Sequence, residues 1–206
     1  SAAMLYASHL ADSEQDLSVE TRQRFAGSLK ERLHELEHQV RDMLVFARGD
    51  LPLPDRLAPK TFFAALRAAA EPHVQGHAVR WQCDSHTGEL LCNRDTLVGA
   101  VLNLVENALQ AAGPQVRLKV HLYSRGQQLR LCISDNGEGI DSATLERLGE
   151  PFFTTKTTGT GLGVAVVKAV ARAHQGDLLL RSRPGRGTCA ILTLPLIAAA
   201  QPVTQE

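Results

Sequence analysis

The sequence predicts an α+β protein in which helices cover one face of a mixed sheet, with a helical hairpin preceding this α/β sandwich. Apolar residues with heptad spacing dominate the first fifty positions. After residue 59 the pattern changes to short strands of alternating polarity, interleaved with helical segments. The chain has 206 residues, of which 44% are hydrophobic, which suffices for one good core and a smaller second element.

Residues 1–50 predict the helical hairpin. Residues 1–11 resemble the end of a helix, which is interrupted near Asp12, and a long helix follows at 18–48. Its apolar side chains alternate spacings of three and four and form a seam that needs a partner helix: Ala26, Leu29, Leu33, Leu36, Val40, Met43 and Ala47. The seam could lie on its own domain, but nothing else in the first fifty residues covers it. We therefore expect a homodimer through residues 18–48, in which two hairpins form a four-helix bundle.

The rest of the chain predicts a linker, a domain and a tail. Gly49 and two prolines end the long helix and predict a stiff linker at 51–59. The α+β domain follows at 60–196, with a frayed tail at 197–206. The predicted helices lie at 60–74, 95–112 and 160–174, and the strands at 78–83, 89–92, 116–123, 128–134, 177–183 and 188–194. The last four strands are expected to form two antiparallel hairpins.

Composition excludes several classes of protein. Lys and Arg balance Asp and Glu at 22 each, so no overall field favours nucleic acid or an acidic membrane surface. The longest apolar run near the end, 189–200, is too short to cross a bilayer and contains Pro195. The four cysteines form no C-x-x-C pair, and three lie in apolar alternating stretches, which predicts reduced, buried thiols and a cytoplasmic protein. No signal peptide is visible, although the abrupt apolar start leaves room for a sensor or membrane segment before residue 1.

Two asparagines on the predicted helix at 95–112 point to a ligand site. Asn103 and Asn107 are four residues apart, so both amides lie on the same side of the helix. Buried amides are costly without partners, which favours a site over an accident of composition. A neutral amide oxygen is a suitable Mg²⁺ ligand when triphosphate oxygens and waters fill the other positions.

Two glycine-rich turns follow along the chain. Asp135 ends a strand just before Gly137 and Gly139, where its carboxylate can accept a hydrogen bond from the adenine amine while the glycines admit the base. A simple Asp-Asn-Gly turn is the alternative. The second turn opens a helix whose N–H groups and dipole suit phosphate, and it contains Gly159, Gly161 and Gly163. Neither the Walker A pattern nor the Rossmann fingerprint matches this turn.

A loop rich in threonine lies between the two turns. Lys156, with Thr154 and Thr155, is expected to sit on a mobile lid from which its ammonium reaches the outer phosphates. An ordinary solvated loop lysine remains the alternative. Phe152 and Phe153 are expected to anchor this loop more than to touch substrate.

Taken together, four segments resemble the N, G1, F and G2 boxes of the ATP-binding domain of sensor histidine kinases, the fold shared with gyrase, Hsp90 and MutL. The segments lie in the family's order at 103–108, 135–140, 151–156 and 159–164. The resemblance implies ATP and Mg²⁺ as cofactors and the following nucleotide-binding residues: Asn103, Asn107, Asp135, Gly137, Gly139, Ile140, Phe153, Thr154, Thr155, Lys156, Gly159, Thr160, Gly161, Leu162, Gly163 and Thr188.

The resemblance also assigns roles within this set. In the family the second asparagine, here Asn107, holds the metal, and Thr188 matches a position that helps to bind adenine through water. Asn103, Asn107 and Lys156 are the expected catalytic residues. Gln110 stands where many members carry a Lys or Arg, as in the subgroup of nitrogen-sensor kinases, and the first fifty residues resemble flagellar-regulation sensor kinases.

Position 103 separates a kinase from the ATPases of the same fold. Hydrolysing relatives place a water-activating glutamate one turn before the metal-binding asparagine, where this chain has Asn103. Glu106 adjoins Asn107 and so points about 100° away around the helix. Without that general base, we expect ATP to be held for transfer to another nucleophile. The alternatives are an ATPase of this fold and a non-catalytic dimerisation module with a vestigial site.

The acceptor in this family is a histidine in a pattern that ends in proline, and none of the eight histidines here fits it. His9 lacks the proline, and Met43 stands where the proline would follow His38. We expect the acceptor upstream of residue 1, and an aspartate of a response regulator as the next phosphoryl carrier. The pairs His34/His38 and His73/His77 have metal-ligand spacing, but solvent-facing side chains are the preferred interpretation.

Overall fold

The computed structural model describes residues 2–11, 18–30, 33, 40, 51–85, 87–112, 115–156 and 159–198. Two compact units make up the chain, Ser1–Leu44 and Val45–Glu206. The predicted domain boundaries at 50 and 59 differ from this division by several residues and stay predictions.

The first unit contains two helices. Helix α1 spans Ala2–Ala11, and α2 is described over 19–30, with positions 33 and 40 also helical. The hydroxyl oxygen of Ser18 accepts a hydrogen bond from the Thr21 amide at 3.2 Å, which caps the start of α2. The Phe25 ring of α2 lies 5.4 Å from the Tyr6 ring of α1, so the helices pack together. Three predicted seam residues, Leu36, Met43 and Ala47, lie outside the described residues.

The second unit is built on a five-stranded mixed sheet. Its strands are β2 (Ala78–Asp84), β4 (Arg117–Arg125), β5 (Gln128–Ser134), β6 (Asp177–Ser182) and β7 (Thr188–Pro195). Their order is β2-β4-β5-β7-β6, in which β2 runs parallel to β4 and every other neighbouring pair is antiparallel. The two predicted hairpins, β4–β5 and β6–β7, are confirmed.

Three helices cover one face of this sheet: α3 (Pro59–Val74), α4 (Arg94–Ala112) and α6 (Gly163–Ala173). Alternate residues of the central strands are buried beneath them: Leu118, Val120 and Leu122, then Leu129, Leu131 and Ile133, then Ala190, Leu192 and Leu194. The residues between these are more exposed and form what we call the open face of the sheet. The predicted sandwich, with a mixed sheet covered on one side, is confirmed.

The linker predicted at 51–59 is not entirely a linker. Strand β1 (Asp55–Leu57) lies within it and pairs antiparallel with β3 (Leu90–Cys92). Arg56 strengthens this pairing through a 2.8 Å hydrogen bond from its Nε to Glu89. A segment of three residues, with Pro54 before it and Pro59 two positions after it, is too short to show a period that predicts a strand, so only the pairing partner reveals it.

Two further boundaries differ from the prediction. Helix α6 begins at Gly163 instead of residue 160, because Gly161 has a φ of +70°, which a helix does not allow. The tail predicted at 197–206 is partly ordered: Ile197 bridges to Glu89, and the carbonyl of Ala198 accepts from Arg56 at 3.2 Å. A short helix that was not predicted, α5 (Ser142–Arg147), follows the first glycine turn and is capped by Asp141.

All four cysteines are free thiols, but only Cys92 is buried as predicted. Cys83, Cys132 and Cys189 are half-buried, because alternation in a strand does not reveal which face the helices cover. In the part of the chain that the structure describes, no helix combines the length and apolarity needed to cross a bilayer.

Candidate functional site

Helix α4 places the two predicted asparagines beside the start of α6. Asn103 is 4% exposed and Asn107 is half-buried, whereas the apolar residues between and beside them are buried in the core. Gly163 lies directly against both: a Cβ built there would stand 3.7 Å from Asn103 Cγ and 3.7 Å from Asn107 Nδ2. The predicted phosphate turn therefore meets the predicted metal-binding face of α4.

Lys156 reaches across from the loop to the same face. Its Nζ donates to Asn107 Oδ1 at 3.0 Å and to Gln110 Oε1 at 2.7 Å. Partial burial of the ammonium lowers the pKa of Lys156, and the negative charge of Glu106 opposes that effect. The amide oxygen of Asn107 thus already holds a cationic group, so the chemistry of this atom fits a cation. From the sequence, Gln110 was notable only because many relatives carry a Lys or Arg at this position. Its hydrogen bond with Lys156 was not predicted.

Asp135 lies near the last turn of α4, between β5 and the first glycine turn. Its Oδ1 accepts hydrogen bonds from the amides of Gly137 at 2.8 Å and Thr188 at 3.1 Å. The backbone N–H of Asp135 in turn donates to the carbonyl of Thr188 at 3.0 Å. Burial raises the pKa of this carboxyl, and the two amides oppose the shift. The carboxylate is therefore held in one orientation, with Oδ2 as the oxygen that these amides leave for a ligand.

The first glycine turn packs on the last turn of α4. A Cβ at Gly137 would lie 2.7 Å from the Ala111 carbonyl oxygen, so only glycine allows this approach. The amide of Glu138 donates to the same oxygen at 3.3 Å. Ala111 is one helical turn beyond Asn107, so α4 positions both the asparagine face and the adenine-side turn.

Ser182 is a positioning residue that sequence reasoning missed. Its hydroxyl accepts from the amide of Ile140 at 2.8 Å and donates to the carbonyl of Gly187 at 2.9 Å. It also contacts the Thr188 hydroxyl at 2.9 Å. This single side chain ties the Asp135 turn to the β6–β7 hairpin. The register of that hairpin, which places Ser182 opposite Thr188, was the available signal.

The loop between the two turns is anchored by aromatic and threonine side chains. The guanidinium of Arg147 lies 4.0 Å from the centre of the Phe153 ring, which agrees with the anchoring role predicted for Phe153. Phe152 is 67% exposed and has a φ of +66°. The Thr154 hydroxyl accepts from the Lys156 amide at 3.1 Å and lies against Gly159. Thr155 is exposed.

The start of α6 is suited to an anion. The Leu162 side chain is buried, and its amide donates to the Thr160 hydroxyl at 3.4 Å. The helix has no side-chain cap, so the amides of its first turn and the positive end of its dipole remain suited to an anion, and its first residue, Gly163, lies against Asn103 and Asn107. Gly161, with its positive φ, lies against the backbone of Phe152 and Phe153 and turns the chain into this helix.

Glu106 points away from the phosphate turn. Its carboxylate lies 3.2 Å from Nδ1 of His73 on α3, as its position around the helix predicts. His73 is therefore engaged with Glu106, and the described residues contain no group of three or more His, Cys, Asp or Glu side chains that could hold a metal ion.

The structure thus brings the predicted residues into two groups along α4. One group contains Asn103, Asn107, Lys156 and Gly163, and the other contains Asp135, Gly137, Gly139, Ile140 and Thr188. Phe153, Thr154, Gly159, Thr160, Gly161 and Leu162 shape the loop between them.

Comparison with known proteins identifies this arrangement. Residues 92–198 match the family described as histidine kinase-, DNA gyrase B-, and HSP90-like ATPase. The sensor protein kinase FleS of Pseudomonas aeruginosa is 77% identical over 200 residues, which cover 97% of this chain and 49% of the relative. The chain therefore spans about half the length of that protein.

Solved structures share the fold. Full-length ShkA in complex with AMPPNP has a TM-score of 0.74 at 23% identity, covering 98% of this chain and 44% of the other. Histidine kinase ThkA in complex with the response regulator TrrA has a TM-score of 0.68 at 17% identity, covering 95% and 58%. The matched family model spans more than half of the chain and includes every nucleotide-site residue described above. The chain belongs to the histidine kinase-, DNA gyrase B- and HSP90-like ATPase family, and its relatives there are sensor histidine kinases.

Proposed function

We propose that this chain is the ATP-binding catalytic core of a sensor histidine kinase, which transfers the γ-phosphoryl group of ATP to a histidine. The observation that carries the proposal is the position of α4. This helix sets the asparagine face against the uncapped start of α6 and sets the Asp135 turn one helical turn further along. ATP requires two such sites, one for its triphosphate and one for its adenine.

In this proposal each group of residues binds one part of ATP. Asp135 Oδ2 accepts a hydrogen bond from the adenine amine, and the backbone amide of Thr188 holds the carboxylate in place. The first-turn amides of α6 bind phosphate oxygens. Lys156 leaves Asn107 and Gln110 and reaches the outer phosphates from the loop that carries it.

We propose that Asn107 is the protein ligand of Mg²⁺. Its Oδ1 points at a cationic group in the structure, which is the chemistry that a hard cation requires. When bound, the metal neutralises charge on the phosphates. Asn103, one turn earlier and facing the same phosphate turn, is proposed to orient the site.

Transfer to a histidine, and not hydrolysis, is favoured by two observations on α4. Position 103 is an asparagine, which cannot take a proton from water as a general base. Glu106, the nearest carboxylate along the helix, is engaged with His73 on α3. The acceptor histidine is proposed to be none of the eight in this sequence, because none has the acceptor pattern.

The proposed partners are a second copy of this chain and a response regulator. Histidine kinase ThkA, which shares the fold, forms a complex with the response regulator TrrA. Large apolar side chains are exposed on the helical unit, among them Met4, Leu5, Val19, Leu33 and Val40, each more than half exposed. We propose that they form the dimer interface, and that the domain works in the cytoplasm.

Incubation of the chain with γ-labelled ATP and Mg²⁺ tests the function. Three quantities are measured together: bound nucleotide, released ADP and label on the protein. Binding without turnover or labelling is expected, because the acceptor is absent from the sequence. Steady ADP production without labelled protein would instead identify an ATPase. Undetectable binding of Mg-ATP would identify a vestigial site, and acid-labile label on the chain would show that one of its own histidines is the acceptor.

Substitution of Asn107 tests the metal assignment. Asn107→Ala should mainly weaken the Mg²⁺ dependence of ATP binding, whereas Asp135→Ala should abolish nucleotide binding with or without Mg²⁺. Isothermal titration with ATP, in Mg²⁺ and in EDTA, separates these two effects. Equal losses in both variants without a change in metal dependence would contradict the role of Asn107.

A further inference from the structure

Two thiols meet on the open face of the sheet, on the side that the helices leave uncovered. Cys132 is on β5 and Cys189 is on β7, and their sulfur atoms are 2.9 Å apart. In the β5–β7 register Cys132 is opposite Ile191 and Ser134 is opposite Cys189, so the two cysteines are diagonal neighbours. Both are half-buried, so a small reagent from solvent can reach them.

The surroundings of Cys132 stabilise its thiolate. The Cys189 thiol donates to it, the Ser134 hydroxyl lies 3.5 Å from its sulfur, and the nearby His121 and Lys119 side chains add electrostatically to these effects. Together they lower the pKa of Cys132 to about 6 against the effect of burial. His121 is directly opposite Cys132 on β4, and its Nε2 lies 2.7 Å from an Asp84 carboxylate oxygen.

The environment of Cys189 has the opposite effect. Its hydrogen bond to Cys132 and its burial raise the pKa of Cys189, so its proton stays on while Cys132 is ionised. A thiolate beside a protonated thiol is the arrangement in which one sulfur attacks an oxidant and the other resolves the product.

We propose that Cys132 and Cys189 form a peroxide-oxidisable dithiol site, in which Cys132 is the attacking sulfur and Cys189 is the resolving sulfur. The Cys132 thiolate attacks hydrogen peroxide, the O–O bond breaks, and the leaving hydroxide takes a proton and departs as water. Cys132 is then a sulfenic acid. Cys189 sulfur attacks it, the S–O bond breaks, and a second water leaves with the Cys189 proton. Two thiols are oxidised to one disulfide, and one peroxide is reduced to two waters.

The geometry requires only a small movement for this bond to form. A disulfide has an S–S distance of about 2.05 Å, so the sulfurs need to approach by less than 1 Å from their present separation. The strands that carry them are already paired along seven residues, which holds the two sulfur atoms close together.

The site lies outside the nucleotide-binding groups but close to one of them. Ser134 and Asp135 are chain neighbours, as are Thr188 and Cys189. The two cysteines therefore lie within three residues of Asp135 and Thr188, which are in contact at the ends of the same two strands.

Mass spectrometry of the folded protein tests the proposal. After brief treatment with hydrogen peroxide, the protein is denatured, free thiols are alkylated, and the chain is digested without reductant. The expected product is one linked pair of peptides, containing Cys132 and Cys189, that has lost two hydrogen atoms and separates after reduction. Cys83 and Cys92 should be alkylated, and Cys83→Ser should leave the yield of the linked peptides unchanged. Full alkylation of Cys132 and Cys189 after treatment would overturn the proposal.

Two substitutions test the separate roles of the sulfurs. In Cys189→Ser the hydroxyl can still donate to the Cys132 thiolate, so a sulfenic acid at Cys132 should accumulate and be trapped by dimedone. In Cys132→Ser, Cys189 should react with dimedone at least tenfold less. The reverse pattern would overturn the assignment, and circular dichroism of both variants shows that the fold is retained.

Discussion

Asp135 shows how one residue is prepared for a ligand before it binds. Two backbone amides converge on its Oδ1, and they oppose the burial that raises its pKa. A carboxylate held in this way loses little rotamer freedom when adenine binds. This is the physical basis for expecting a large effect of substitution at this position.

Asp135→Asn should lower ATP affinity by roughly 10- to 150-fold, because a hydrogen bond to a charged group contributes about 1.5–3 kcal/mol. The asparagine keeps the size of the side chain but presents an amide N–H₂ or a neutral oxygen to the adenine amine. Titration calorimetry measures the change. Asp177→Asn, an equal charge change at an exposed end of β6, is the matched control and should bind as the wild type does. An Asp135→Asn affinity within twofold of the control would refute the adenine assignment.

His174 is a second residue whose environment decides its behaviour. It is 3% exposed, its Nδ1 donates to the carbonyl of Val170 at 2.7 Å, and its Nε2 accepts from the amide of Asn93 at 3.1 Å. Burial lowers the pKa of His174, although the bond to Val170 opposes this. Since Nε2 must be unprotonated to accept, the neutral form joins the end of α6 to the start of α4.

The free energy of unfolding should fall as the pH drops below about 6.5, the pKa of histidine in the unfolded chain. Below that pH the unfolded state binds a proton that the folded state, with its lowered pKa, does not bind. One such group contributes at most about 1.4 kcal/mol per pH unit. Urea unfolding at pH 7.5 and 5.5, followed by the fluorescence of Trp81, measures the change in the free energy of unfolding. Trp81 is the only tryptophan and packs on Phe63 in the second unit.

The control for this prediction is His174→Gln, which has no titrating group. It should be less stable than the wild type at pH 7.5 but lose less stability between pH 7.5 and 5.5. If the two proteins lose the same amount, His174 is not the source of the acid sensitivity.

At the scale of elements, the start of α6 depends on the loop before it. The loop must reverse at Gly161 so that the start of α6 lies against the asparagines of α4. The φ of +70° at Gly161 is unfavourable for any residue with a side chain, and a Cβ there would overlap the backbone carbonyl carbon of Phe152. The phosphate turn therefore depends on this one backbone conformation.

Gly161→Ala should reduce ATP affinity more than tenfold, because the loop must move to relieve the overlap and the α6 amides then lose their alignment. Gly99→Ala is the matched control: Gly99 is within α4, and nothing lies within 4 Å of a Cβ built there. That substitution should leave ATP affinity unchanged and stabilise the helix by about 0.5–1 kcal/mol. Equal affinities of the two variants for ATP, measured by calorimetry, would contradict this account of the turn.

At the scale of the whole molecule, the two units differ in what they leave exposed. The second unit buries most of its large apolar residues beneath three helices, whereas the helical unit exposes several of its own. Leu33 is 53% exposed and Val40 is 55% exposed, and both belong to the predicted seam. Apolar side chains repeated at this spacing are typical of a helix that pairs with another copy.

Leu33→Glu should convert the protein from a dimer to a monomer of 22.3 kDa at micromolar concentration. A charge in an apolar seam must be desolvated for the dimer to form, which costs several kcal/mol. Light scattering after gel filtration measures the mass. Arg24→Gln changes the net charge by the same amount outside the seam and should remain dimeric. A monomeric wild type, or a dimeric Leu33→Glu, would rule out an interface through this seam.

The sequence alone determined the features that depend on neighbours along the chain. Alternation with a period of two predicted the hairpins of β4 with β5 and of β6 with β7, and spacing of four residues put Asn103 and Asn107 on one face of α4. The order of the four motifs identified the family. The hairpins and the asparagine pair are each encoded within about twenty consecutive residues, where backbone geometry permits few alternatives.

Which distant atoms meet depends instead on how the whole chain folds. Four contacts join segments that are 6 to 57 residues apart in the chain. They are the pairing of β1 with β3, the contacts of Ser182, the hydrogen bonds from Lys156 to Asn107 and Gln110, and the contact of Cys132 with Cys189. Such contacts depend on strand order, on register and on which face the helices cover. A shift of one residue in register would reverse every side chain of a strand. No local pattern contains that information, because it arises when the sheet is assembled and its core is packed.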